Sequence, residues 1–190
     1  MSETSNLSER YTFASPLEIV CSGSSDCLKC LPSDDEQPLS CKFLSLVLFN
    51  LSLAHHLYSQ ELIERTQHKF DNEIQRQDEV SNFLRKSLRL YELCHSSLVF
   101  TSSGSVCSDL AIAVIVTNNV GEIHKELHQQ LNEAQEQQCS EAAMACSEKL
   151  IQIFMFFAAN GESKRLEGLG DIFSNAMATL NGPQSVAPAA

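Results

Sequence analysis

Apolar residues recur at three- and four-residue spacing in one stretch after another of this chain, the period of a helix that buries one side. Leu44, Val47, Leu48 and Leu51 repeat this way, and Leu46, Phe49 and Leu53 form a second apolar side on the same segment. Apolar residues on two sides predict an inner helix with neighbours on both. The rival reading comes from Leu110-Ala111-Ile112-Ala113-Val114-Ile115-Val116, whose β-branched residues suit a strand. No second run of similar strength exists to pair with it, so this segment too is read as helix, continuing through His128. The expected fold class is all-α: antiparallel helix pairs closed by a C-terminal capping helix.

The helices can be placed. The first begins near residue 39, and the polar stretch 58–72 either extends it or forms a loop. The second spans about 73–98, with Val80, Leu84, Leu88 and Tyr91 inward and Arg85, Lys86 and Arg89 outward, paired with neighbours such as Glu92. Thr101-Ser102-Ser103-Gly104-Ser105 has turn chemistry. The fourth covers 133–159, with Ala142, Cys146, Leu150, Ile153 and Phe157 on one stripe and Asn160-Gly161 as its stop. A short last helix, about 167–180, offers Leu169, Ile172, Phe173 and Met177. The helical domain is thus residues 39–180, followed by an Ala/Pro tail at 181–190.

Residues 1–38 read differently. Up to Leu39 there are seven acidic residues and two basic ones, among Ser-rich runs such as Ser22-Gly23-Ser24-Ser25. Such a composition buries too little apolar area to offset chain entropy, so most of this segment is expected to be disordered. Tyr11-Thr12-Phe13 and Leu17-Glu18-Ile19-Val20 are the exceptions, apolar enough to lie on the folded part as an extended anchor. Pro16 turns Ser15 away from helical geometry.

Composition limits the partners. Thirteen Lys and Arg against 24 Asp and Glu give a net charge of −11, with a pI near 4.9. Phosphate-rich partners need a basic footprint, so neither nucleic acid nor an anionic membrane is an expected partner. The apolar runs 43–57 and 150–159 are both shorter than the ~20 residues of a membrane span. The acidic start lacks the basic-then-apolar pattern of a secretory signal. The eight cysteines therefore read as reduced thiols of a cytoplasmic, or nuclear, protein.

No nucleophile–base–orienter set and no Gly-rich phosphate loop can be assembled, so no enzyme activity and no cofactor are expected. Two groups leave a metal-dependent regulator or enzyme as the alternative. Cys21, Cys27, Cys30 and Cys41 contain one CxxC pair, half of a zinc knuckle, and His124 and His128 share a helix face at i and i+4. The second CxxC and the HExxH pattern are missing, so free thiols and surface histidines are the expected reading, with no metal.

The sequence also echoes itself. Phe49-Asn50-Leu51-Ser52-Leu53-Ala54-His55 is matched by Asn118-Asn119-Val120-Gly121-Glu122-Ile123-His124. Ser52 and Gly121 lie 69 positions apart, roughly two 34-residue repeats. A small residue at that point lets two helices approach closely.

With these residues, and with Phe83-Leu84-Arg85-Lys86-Ser87-Leu88-Arg89-Leu90-Tyr91-Glu92, the segment 40–160 resembles a degenerate tetratricopeptide (TPR) helical-repeat protein. It is similar more narrowly to short helical-repeat proteins of diatom-type algae, which share the Phe-Asn-Leu-x-Leu-Ala-His-His-Leu run and an Ala/Pro-rich end. The consensus Trp position holds Leu48 and Thr117 here, and the Tyr position holds His55 and His124. TPR-like α-hairpins and a small helical bundle are therefore both open. The resemblance implies a non-catalytic module that binds a peptide or protein in a groove. Asn50 and Asn119 would bond the peptide backbone; Phe49, Leu53, His56, Asn118, Glu122 and Lys125 would line the groove. The other reading of the two asparagines is that they bridge helices inside the bundle.

Overall fold

The structure is a computed structural model that describes residues 14–17, 37–66, 73–100, 106–129 and 133–181. These form five α-helices and one 3₁₀ turn, with no strand among the described residues: α1 (Gln37–Thr66), α2 (Glu73–Phe100), α3 (Val106–His128), α4 (Glu133–Ala159), the turn Ser163–Leu166, and α5 (Gly170–Asn181). The protein is all-α and is built of packed helix pairs. The β-branched run 110–116 is helical, and the polar stretch after Tyr58 continues α1 as far as Thr66. Cys21, Cys27 and Cys30, most of the N-terminal segment and the Ala/Pro tail lie outside the described residues, as does the side chain of Cys41.

The chain divides into two compact units within α3, between Val116 and Thr117. The first holds α1, α2 and the start of α3. Here α1 and α2 form an antiparallel pair joined along a seam of small residues. Ser45, Ser52 and Ser59 recur every seven positions on α1, and all are fully buried. Ser52 Oγ donates to the Ser87 carbonyl at 2.6 Å, and Ser87 Oγ donates back to the Ser52 carbonyl at 2.8 Å. One level along, the Ser45 and Ser97 hydroxyls are 2.6 Å apart, and Cys94 Sγ donates to the Ser45 carbonyl at 3.2 Å. A side chain as short as serine reaches a backbone carbonyl on another helix only where the two backbones run close together. Beside the seam, Phe49 packs on Tyr91 with ring centroids 5.7 Å apart, and Leu53, Val80, Leu84 and Leu98 complete the core.

The other side of α1 is not packed. Phe43, Leu44, Val47 and Leu51 are 44–59% exposed. The expectation of an inner helix with neighbours on both sides is corrected here: the helical period reports which residues share a side, not whether a neighbour covers it.

The second unit contains α3 from Thr117, α4, the 3₁₀ turn and α5. At Gly121 an added Cβ would lie 3.3 Å from the Cβ of Cys146, so α3 and α4 meet closely there. Both small positions of the internal echo, Ser52 and Gly121, thus stand at close helix crossings. Helix α4 stops as Asn160-Gly161 predicts. Gly161 takes φ +70° and donates to the Ala158 carbonyl, while Glu162 donates to Phe157, the paired bonds of a Schellman turn. The chain then returns through Leu166 and Leu169, both buried, into α5, whose Ile172 and Ala176 face the core and whose Phe173 stacks on Phe154 at 5.1 Å.

From Glu136 to Ala159, α4 is long and apolar enough to cross a membrane, by length and composition alone. Ala142, Ala143, Met144, Ala145 and Cys146 extend the apolar run 150–159 beyond the length read from the sequence. Met155 and Phe156 are about three-fifths exposed.

Candidate functional site

The expected partner-binding residues fall into two groups, one in each unit. On α1, Leu53 and His56 face inward: Leu53 is in the core, and His56, fully buried, lies edge-on to Tyr91 with centroids 6.4 Å apart. Asn50 stands at the solvent-facing side, half-buried, one turn from Val47 and Ala54.

The carboxamide of Asn50 is engaged. Its Oδ1 accepts the Leu17 N–H at 2.9 Å, and its Nδ2 donates to the Leu17 carbonyl at 2.9 Å. One amide side chain thereby satisfies both backbone groups of one residue 33 positions away. Those groups point to the same side of the chain when the residue is extended, and Asn offers the matching acceptor and donor. Leu17 is half-buried, whereas Ala14, Ser15 and Pro16 are exposed. Pro16 fixes its own φ and keeps Ser15 out of helical geometry, so the segment is held extended before it meets α1. This is the anchoring expected of Leu17; residues 11–13 and 18–20 lie outside the described residues.

The second group is Asn118, Asn119, Glu122 and Lys125, one face of α3, together with Asn175 of α5. Glu122 is almost buried, its side chain 5% exposed, and Lys125 Nζ reaches its Oε1 at 2.6 Å. Asn175 Nδ2 donates to the same oxygen at 2.8 Å and to Asn118 Oδ1 at 3.1 Å. Asn118 Nδ2 in turn donates to Asn119 Oδ1 at 3.1 Å. A buried carboxylate needs both a counter-charge and hydrogen bonds, and here Lys125 supplies the one and Asn175 the other. The network seats α5 on α3. Nothing in the sequence paired Asn175 with Glu122, since 53 positions separate them and Asn175 lies outside the echoed segment.

Among the described residues no group of three or more His, Cys, Asp or Glu side chains is arranged to hold a metal ion. His128 faces Glu136, with Nδ1 3.0 Å from its carbonyl and Nε2 3.4 Å from its carboxylate. Cys94, Cys139 and Cys146 form no disulfide. Burial pushes the Cys94 thiol up to about 12, and burial also raises Cys146, against the opposing charge of Lys149. Thiols held in the protonated form are poor nucleophiles. Arg85, Lys86 and Arg89 of α2 are exposed, with Arg89 3.1 Å from Glu92 and Lys86 over the Phe83 ring at 5.2 Å.

The fold and these two polar arrangements define an all-helical protein with a backbone-reading carboxamide on one unit and a buried helix-fastening network on the other. No family model matches the chain, and no curated protein or solved structure matches it.

Proposed function

We propose that this protein is a non-catalytic protein-interaction module that binds an extended peptide segment of a partner along the solvent-facing side of α1. The observation that carries this reading is the Asn50 carboxamide, which bonds both the N–H and the C=O of Leu17, the pairing that an extended residue offers. Main-chain bonding of this kind gives affinity for a conformation, and flanking apolar side chains give preference for a sequence. Phe43, Val47 and Leu51 supply such an apolar margin beside Asn50. With the eight cysteines read as reduced thiols, the compartment that goes with this reading is cytoplasmic or nuclear. The tetratricopeptide resemblance points the same way and is an added expectation, not the basis of the proposal.

The test is selection of random decapeptides displayed on phage against the full chain and against Asn50→Ala. Enrichment of extended, proline-containing apolar sequences that disappears with Asn50→Ala supports the module. No enrichment, or enrichment indifferent to Asn50 and to Leu51→Asp, removes it.

A further inference from the structure

We infer that the chain's own segment 14–17 is an intramolecular occupant of this site, so that a partner peptide binds by displacing it; the inference rests on the module reading above. The partner is a segment of another protein with an aliphatic residue directly after proline, as in Ser15-Pro16-Leu17.

Three features support an exchangeable occupant rather than a fixed part of the fold. The segment is held at one residue: Leu17 is half-buried and bonded twice to Asn50, while Ala14, Ser15 and Pro16 stand in solvent. Both bonds go to backbone atoms, so any extended residue delivers the same pair, and Asn50 does not distinguish its own chain from another. The apolar residues around Asn50 are left open, with Phe43 59% and Leu51 47% exposed. A longer apolar peptide in the same position would cover area that the present occupant does not. Pro16 adds a reason for the motif: a residue already restricted to extended geometry loses less freedom on docking.

Competition of this sort has a calculable size. A tethered segment acts on its own site at an effective concentration on the order of millimolar. With an intrinsic Kd of about 0.1 mM for the segment itself, it weakens binding of a free peptide about tenfold.

The experiment measures fluorescence anisotropy of a labelled peptide with the sequence of residues 11–20, titrated with the full chain. Three proteins are compared: wild type, Leu17→Pro, which lacks the N–H that Asn50 accepts, and Leu17→Pro/Asn50→Ala. Circular dichroism confirms equal helix content, and sedimentation records the oligomeric state. Binding about tenfold tighter in Leu17→Pro than in wild type, and lost in the double variant, supports the inference. Equal binding by wild type and Leu17→Pro overturns the competition and leaves the module standing. Binding indifferent to Asn50, or none in any of the three, overturns both. A wild-type dimer that dissociates with Leu17→Pro means the segment docks on a second copy, and this also overturns the intramolecular reading.

Discussion

Replacing Ser52 by leucine tests the close approach of α1 and α2 more strictly than any removal of core volume. Intrinsic helix preference works against the expected result, since alanine and leucine both exceed serine by about 0.3–0.5 kcal/mol. Ser52→Ala loses the hydroxyl's interhelical bonding to Ser87, to its carbonyl at 2.6 Å and its Oγ at 3.0 Å, worth about 1 kcal/mol net. The Ser87 carbonyl that it served keeps its place in the α2 ladder, so no orphaned acceptor remains. The sum is a loss of about 0.5 kcal/mol. Ser52→Leu loses the same bonding and forces a branched side chain into a position that is 0% exposed and 2.6 Å from a facing carbonyl. Overpacking adds about 1–3 kcal/mol, for a total of about 2–4. Urea unfolding followed by ellipticity at 222 nm reads both values from the midpoint shift. A leucine variant as stable as the alanine variant refutes the reasoning, because it means the seam has room for a large side chain.

Other positions give independent checks. Gly161→Ala puts a Cβ on a residue at φ +70° and should cost about 1 kcal/mol in thermal or urea unfolding, although open space surrounds the site. Asn175→Ala removes a hydrogen bond to the nearly buried Glu122 carboxylate and should cost about 1.5–3 kcal/mol; limited proteolysis should then cut α5 first. Burial pushes the Cys94 thiol up to about 12 in the folded chain, from an ordinary value of 9. The unfolded state therefore loses its proton first, and this contribution to stability is complete below pH 9 and declines from there toward pH 12. Cys94→Ala should flatten that part of the pH–stability curve, and native wild type should resist maleimide at Cys94 at pH 8.

What the sequence disclosed followed from the physics of each signal. The bounds of α4 agree with the expected 133–159 because Asn160-Gly161 is a stop with a mechanism, the left-handed residue of a Schellman turn. Placing Ser52 and Gly121 at close crossings worked because size alone governs helix approach. The serine seam was written in the seven-residue spacing of Ser45, Ser52 and Ser59, yet serine carries little weight in an apolar count, and the pattern stayed hidden. Leu44, Val47 and Leu51 misled for the opposite reason, since an apolar stripe looks the same whether packed or exposed. Leu17 was recognisable as an extended anchor from Pro16, but its partner was not, because a contact across 33 positions leaves no local trace. The same holds for Asn175 and Glu122.

The proposed function requires that α1 hold an extended backbone through Asn50. Amide hydrogen exchange at Leu17, read by NMR in wild type and in Asn50→Ala, tests this directly. Protection of the Leu17 amide in wild type that falls to the unstructured rate in Asn50→Ala, with the α1 and α2 amides unchanged, is the predicted result. A Leu17 amide that exchanges at the unstructured rate in wild type contradicts backbone capture by Asn50.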